Sequence, residues 1–278
     1  MKPRDSTPND PHWGVMAYHW DAYGSPLRPS PPDIAAMEDS VRAWRGEGDT
    51  REPRVLMLGV TPEIAGMAWP SGTRLTAIDR SEPMIAHVWP GDMAGLRTAI
   101  RADWFDYDYG RIDIVIGDGV FAIMRYPDQY RELVGKIAAA LPAGGLFITR
   151  PFLQATEREA SARVVRDLAE GRIVSIHAFK FRLAMSMQSC AEDGVRQGDV
   201  FDAVGRAGID CDTLAELTAW SELEIDTLRI YEGKDARLSF PSAKEMAALM
   251  TEHFETVGEA RFDYEMGERC PVMTYRRR

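Results

Sequence analysis

The sequence lacks the features that define several large classes of protein. Its 278 residues include only three cysteines, Cys190, Cys211 and Cys270, which lie far apart and form no C-x-x-C pair. Neither a disulfide framework nor a structural metal site is therefore predicted, and a reducing, cytoplasmic location is the simplest inference. No apolar run reaches the length of a membrane span, and the polar N-terminus has no secretory signal, so no membrane partner is expected.

Positive charge is also scarce. There are 33 Lys and Arg residues against 43 Asp and Glu, which gives a net charge of −10 at pH 7. Such a balance repels phosphate backbones, so no nucleic-acid partner is predicted. The hydrophobic content of 45% is ordinary for globular proteins and is enough for one or two domains.

One stretch, Arg54 to Ala86, organises the rest of the chain. The apolar run 55–58 ends abruptly at Gly59, as a buried strand followed by a tight turn would. A second strand, 74–78, ends at Asp79, about 20 residues after that glycine. A carboxylate at this distance can accept the hydroxyl protons of a ribose, so the stretch predicts a nucleoside-binding crevice.

Further strands alternate with helices after this stretch. Strands are predicted at 96–102, 112–116 and 146–149, an amphipathic helix at 128–141, and a closing antiparallel pair at 255–264 and 272–276. This alternation predicts an α/β fold, a doubly wound and mainly parallel sheet with both faces covered.

Three regions follow from the pattern. Residues 1–45 are predicted to be an N-terminal arm and helix; the arm, 1–32, is expected to be extended, and Asp33 is the expected N-cap of the helix. Residues 46–153 and 240–278 are predicted to form the α/β domain. Residues 154–239 read as mostly helical and are too long for an ordinary connection, so we predict an insertion that serves as a substrate lid.

Several short motifs, taken in order, resemble those of the class I S-adenosylmethionine-dependent methyltransferases. They are Asp79-Arg80-Ser81-Glu82-Pro83-Met84, Asp103-Trp104, Asp118-Gly119 with Phe121, and Leu141-Pro142-Ala143-Gly144-Gly145. The resemblance covers residues 54–152 and, more loosely, the C-terminal pair. It implies a seven-stranded Rossmann-like sheet, S-adenosylmethionine as cofactor, and methyl transfer to a small-molecule acceptor.

The resemblance also implies roles for individual residues. Asp79, in the run that includes Arg80 and Met84, would hold the ribose hydroxyls. Asp103 would address the adenine amino group, with Trp104 along the ring.

Asp118 and Gly119 match the segment after the fourth strand. In Ser25-Pro26-Leu27-Arg28-Pro29, which resembles an arm folded over the cofactor, Arg28 would pair with the cofactor carboxylate.

The first motif departs from the family pattern. The family usually has an acidic residue and three glycines here, whereas this chain has Met57-Leu58-Gly59-Val60-Thr61-Pro62-Glu63. The run Gly59, Thr61 and Pro62 is the predicted contact with the methionine moiety. Glu63 or Asp118 is the predicted partner of its ammonium group.

No catalytic motif stands out. A general base is needed only if the acceptor is a hydroxyl or a protonated amine, and the candidates are His19 and His177, which could equally be packed histidines. Two other functions stay open: a non-catalytic cofactor-binding protein with a degenerate site, and a nicotinamide-dependent oxidoreductase, which the missing G-x-G-x-x-G disfavours. The aromatic arm and the insertion are common ways to build a homodimer.

Overall fold

A seven-stranded sheet forms the centre of the protein. The computed structural model describes residues 11–46 and 48–278. The strands are β1 (Arg54–Leu58), β2 (Arg74–Asp79), β3 (Arg97–Arg101), β4 (Ile114–Asp118), β5 (Leu146–Arg150), β6 (Val195–Arg196), β7 (Arg237–Leu238), β8 (Phe254–Ala260) and β9 (Val272–Arg277). The sheet order is β3-β2-β1-β4-β5-β9-β8, while β6 and β7 pair separately. Strands β1 to β5 are parallel and β9 is antiparallel to both neighbours, which confirms the predicted doubly wound architecture.

Helices cover both faces of this sheet and form most of residues 154–239, the proposed insertion. They are α1 (Pro11–Tyr18), α2 (Pro31–Arg45), α3 (Pro62–Ala65), α4 (Glu82–His87), α5 (Asp128–Ala140), α6 (Ser161–Ala169), α7 (Ile176–Met187), α8 (Gln197–Arg206), α9 (Cys211–Leu217), α10 (Glu222–Arg229) and α11 (Ala243–Met250). Within the described ranges, no helix combines the length and the apolar character that crossing a membrane requires.

Strand β1 illustrates why the sheet is buried on both sides. Successive side chains of a strand point to opposite faces. Val55 and Met57 therefore pack in the cluster that contains the buried residues of α2, and Leu56 and Leu58 pack in the cluster that contains those of α5. A continuous apolar run is what a strand with two covered faces requires.

The proposed insertion, 154–239, has an apolar cluster of its own. Buried side chains of α6 to α10 surround Phe179 and Trp220, and the cluster continues to Phe152 after β5 and to Ala122 after β4. Residues 176–187, within the stretch predicted to be mostly helical, form α7. The cluster thus joins the insertion to the carboxyl ends of the central strands.

Several local predictions were wrong. Residues 11–18 are helical rather than extended, because proline is tolerated in the first turn of a helix; residues 1–10 of the predicted arm lie outside the described ranges. Ser30, not Asp33, is the N-cap of α2. Asp33 instead occupies the third position and accepts the Ser30 backbone N–H at 2.7 Å, which completes a capping box. Helix α9 and the β6–β7 pair were not predicted.

Candidate functional site

A cavity lies at the carboxyl ends of β1, β2 and β4, the edge at which open α/β sheets bind ligands. Most of the residues selected from the sequence line it: Gly59, Thr61, Asp79, Arg80, Met84, Asp103, Trp104, Asp118 and Gly119. Pro62 follows Thr61 as the first residue of α3. The topology thus brings residues from four separate motifs to one cavity.

Gly59 forms the turn after β1 and lies beside Asp79. Its φ of +93° is a conformation that side chains other than hydrogen rarely adopt. Its N–H donates to the Ile78 carbonyl at 2.8 Å. A Cβ at this position would lie 4.0 Å from Oδ2 of Asp79, so the glycine keeps the backbone close to the carboxylate without blocking it.

The Asp79 carboxylate retains capacity to bind a ligand. Its Oδ1 accepts the Ser81 N–H at 2.8 Å, and its Oδ2 makes no hydrogen bond with any residue in the described part of the chain. Burial raises the pKa of Asp79 to about 6, although the Ser81 N–H and the charge of Arg80 oppose this shift. A partly buried carboxylate with one unused oxygen beside a cavity fits a ligand that brings hydroxyl donors, such as a ribose diol.

Asp103 and Trp104 form the neighbouring wall. The Asp103 Oδ1 accepts the Phe105 N–H at 2.8 Å, and the Trp104 indole donates to the Ile78 carbonyl at 2.8 Å. This second bond fixes the orientation of the indole ring next to the turn after β2. An aromatic wall with a nearby carboxylate suits a flat base that carries an amino group.

Asp118 is engaged by a buried arginine. The Arg150 side chain has 0% exposure, and its Nε and Nη2 donate to the two Asp118 carboxylate oxygens at 2.7 and 2.9 Å. Burial lowers the pKa of Arg150, but the charge and the hydrogen bonds of Asp118 outweigh it and raise the pKa above its ordinary value. The ammonium-binding role predicted for Asp118 therefore meets an existing ion pair, and stays a prediction.

The same arginine holds the N-terminal segment. Its Nη1 donates to the Pro26 carbonyl at 2.9 Å and to the Tyr264 hydroxyl at 3.1 Å, and its Nη2 reaches the Leu27 carbonyl at 3.4 Å. Tyr264 donates in turn to Asp33 Oδ1 at 3.3 Å. One guanidinium thus connects β4, β5, the loop before β9 and the segment before α2.

Arg28 does not line the cavity. Its Nε donates to Glu63 Oε1 at 2.7 Å, and its Nη1 donates to the carbonyls of Trp20 and Tyr23 at 2.7 and 3.2 Å. The guanidinium also lies 5.3 Å from the centre of the Trp20 ring. These contacts use Arg28 and one oxygen of Glu63, two of the side chains expected near the methionine end of a cofactor, and leave Glu63 Oε2 without a hydrogen bond to the described residues.

The two histidine candidates lie outside the cavity wall. His19 is partly exposed between α1 and the short turn at Trp20–Ala22. His177 is buried in the first turn of α7, with its ring 5.2 Å from that of Tyr23 in an edge-on contact. Their roles as general bases stay predictions.

Two sets of wall residues were not selected from the sequence. The N-terminal segment contributes Trp13, Met16, Trp20 and Leu27, and the insertion contributes Phe181, Gln197, Tyr231 and Leu238. The cluster of aromatics near the N-terminus was a signal for the first set. Nothing in the local pattern marked the second set, because its members come from α7, α8, the turn after α10 and β7, which meet only in the folded chain.

No protein-family model matches the chain, and no curated protein sequence matches it. Solved structures do match, at low sequence identity. A protein from Rhodobacter sphaeroides, assigned as a Zn-dependent alcohol dehydrogenase, is 12% identical, covers 95% of this chain and 98% of its own, and has a TM-score of 0.55. Among the described residues, no group of three His, Cys, Asp or Glu side chains could hold a metal ion.

Two methyltransferases match in the same way. Magnesium protoporphyrin IX methyltransferase from Synechocystis PCC 6803, with bound S-adenosylhomocysteine, is 12% identical over 96% of this chain and 94% of its own, with a TM-score of 0.51. A methyltransferase from Methanosarcina mazei is 11% identical over 90% and 99%, with a TM-score of 0.50. The chain therefore has a class I methyltransferase-like fold.

Replacing Arg150 by methionine should strongly destabilise the protein. The substitution Arg150→Met leaves the Asp118 carboxylate buried without its counter-ion, which typically costs about 3–5 kcal/mol. Urea unfolding measures the change, with the exposed Arg163→Met as control. The double variant Asp118→Asn/Arg150→Met should recover part of the loss, because no buried charge is left; a double variant no more stable than Arg150→Met contradicts the argument.

The raised pKa of Asp79 predicts a pH-dependent cost in stability. A carboxyl with a pKa of about 6 when folded and 3.8 when unfolded binds its proton more tightly in the folded state. It therefore costs nothing below about pH 4, and costs up to roughly 3 kcal/mol once pH exceeds the folded value. Asp79→Asn should be more stable than wild type at pH 8, and the difference should shrink at pH 5. Urea unfolding at both pH values, with Asp202→Asn as an exposed control, tests this; an equal difference at both contradicts it.

Proposed function

We propose that this protein is an S-adenosylmethionine-dependent methyltransferase that acts on a small-molecule acceptor. The observation that carries the proposal is the partly unsatisfied carboxylate of Asp79 beside the Gly59 turn, at the carboxyl edge of a class I methyltransferase-like sheet. This arrangement fits the sugar of a nucleoside, and the neighbouring Trp104 and Asp103 fit its base.

In this proposal the cavity residues hold the cofactor along its length. Asp79 binds the ribose hydroxyls, with Arg80 and Met84 beside it, and Gly59 and Thr61 contact the methionine end. When bound, the cofactor supplies an activated methyl group on a sulfonium sulfur. The protein's own contribution is to align the acceptor and to exclude water, and positioning of this kind is worth roughly 7–11 kcal/mol in favourable cases.

The walls around the rest of the cavity support a small acceptor. Side chains of the N-terminal segment and of the proposed insertion line the cavity together with Gly119 and Asp118. A macromolecular substrate would need an open groove instead. A homodimer and a cytoplasmic location stay predictions, as do the domain boundaries.

Cofactor binding tests the proposal directly. Isothermal titration calorimetry with S-adenosylhomocysteine should give saturable binding to the wild type. Asp79→Ala should weaken it about 10- to 100-fold, because hydrogen bonds to a charged group are worth about 1.5–3 kcal/mol. The exposed Asp202→Ala should bind as the wild type does. Absent binding to the wild type, or undiminished binding to Asp79→Ala, would sink the proposal.

A second candidate function is non-catalytic nucleoside binding. The observation that favours it is that both acids expected near the cofactor ammonium, Asp118 and Glu63, are already paired with Arg150 and Arg28. Nicotinamide-dependent oxidation gains no such support, since the turn at Gly59 lacks the glycines of a dinucleotide loop.

Comparing two ligands separates these candidates. S-adenosylhomocysteine and 5′-methylthioadenosine share the nucleoside, but only the first has the amino-acid end. A methyltransferase site should bind S-adenosylhomocysteine at least about tenfold more tightly, because its charged end makes hydrogen bonds worth about 1.5–3 kcal/mol. Thr61→Val should reduce this difference in affinity without lowering the affinity for 5′-methylthioadenosine. Equal calorimetric affinities for the two ligands would favour non-catalytic nucleoside binding.

A further inference from the structure

One group of residues in the cavity wall carries no charged side chain. We call it the acceptor end and define it by Ala122, Phe152, Phe181, Gln197, Tyr231 and Leu238. All of these except Gln197 belong to the apolar cluster of the insertion. The charged side chains of the cavity, by contrast, lie among the proposed cofactor contacts: Asp79, Arg80, Asp103 and Asp118.

Aromatic rings form the main surfaces of the acceptor end. The rings of Phe152 and Phe181 are 4.8 Å apart between centroids, at an angle of 43°. Phe152 also borders the cofactor contacts, because a Cβ on Gly119 would lie 3.0 Å from its ring. A wall of this kind favours flat, apolar molecules that can pack against ring faces and edges.

Gln197 is the polar exception, and its backbone is held on both sides. Its own N–H donates to the Ala236 carbonyl at 2.9 Å, and the N–H of Gly198 donates to the Lys234 carbonyl at 3.0 Å. A Cβ on Gly198 would lie 3.0 Å from that same Lys234 oxygen, which is tighter than most Cβ contacts, so glycine favours this approach. Arg196, the residue before Gln197, pairs with Arg237 between strands β6 and β7. The start of α8 is therefore fixed where Gln197 meets the cavity.

The amide of Gln197 has unused hydrogen-bonding capacity. The residue is only 6% exposed, yet its side chain makes no hydrogen bond to any residue in the ranges 11–46 and 48–278. A primary amide offers both a carbonyl acceptor and N–H donors, so its complement is a polar edge with one acceptor and one donor.

Lys180 is a basic group of the insertion that lies beside Tyr231, and its ammonium is hydrogen-bonded to other partners. Its Nζ donates to the backbone and side-chain oxygens of Thr227 at 3.0 and 2.9 Å, and it lies 4.8 Å from the centre of the Tyr231 ring. Burial lowers the pKa of Lys180 to about 7. It therefore adds little positive charge to the acceptor end above neutral pH, and it does not line the cavity.

Resting on the proposed function, we propose that the acceptor is a flat, largely aromatic molecule without negative charge and with one polar edge that pairs with the Gln197 amide. Walls without charge exclude an anionic acceptor, because its charge would lose its hydration without gaining a partner. Gln197 is then the residue that selects among aromatic molecules of this kind.

Three related probes test this inference by calorimetry on the protein saturated with S-adenosylhomocysteine. Quinolin-2(1H)-one has a lactam edge that complements an amide, quinoline lacks the N–H and the carbonyl, and quinoline-2-carboxylate is an anion. The lactam should bind at least about tenfold more tightly than the carboxylate. Gln197→Leu keeps the size of the side chain. It should lower the affinity for the lactam about tenfold and change the affinity for quinoline less than twofold.

The affinity for S-adenosylhomocysteine keeps this test separate from that of the proposed function. Gln197→Leu should leave this affinity unchanged, which also shows that the variant is folded. The inference is overturned if the carboxylate binds best, if no probe binds the loaded wild type, or if Gln197→Leu binds the lactam as the wild type does. If the wild type does not bind S-adenosylhomocysteine, the proposed function fails. The affinities of the three probes for the protein without S-adenosylhomocysteine then decide the inference.

Discussion

The buried ion pair between Arg150 and Asp118 is the interaction on which the arrangement of the site depends. A guanidinium has five N–H donors, and one with no exposed surface must find every acceptor inside the protein. Asp118 accepts two of these hydrogen bonds, and the Pro26 carbonyl, the Leu27 carbonyl and the Tyr264 hydroxyl accept the others. Satisfying one side chain thus joins two strand ends and holds the N-terminal segment across the cavity.

The sheet and one end of the site could be predicted from the sequence because both depend on local patterns. A strand buried on both faces needs a continuous apolar run, and a sharp turn at its end needs a residue that accepts a positive φ, as Gly59 does. Asp79 follows the next strand, and parallel strands end at one edge of a sheet. The order of the motifs was therefore enough to bring these two residues together.

The rest of the site depends on contacts between distant parts of the chain. Arg150 ends a strand like many other residues, and only the fold reveals that Asp118 and the 26–27 carbonyls surround it. Arg28 was expected at the cofactor because its motif fits, yet Glu63 competes for the same charge. No sequence pattern marks Gln197, because the residue matters only through its place in the cavity wall of the folded chain.

The hydrogen bonds from Arg150 to the carbonyls of residues 26 and 27 determine which fragments of the protein can keep the site. A fragment cut at the start of β1 would keep every strand of the sheet. It would nevertheless lose the Trp20 and Leu27 walls and leave the Arg150 guanidinium with two acceptors missing. The smallest piece that can retain the intact cavity is therefore longer than the smallest piece that contains the sheet.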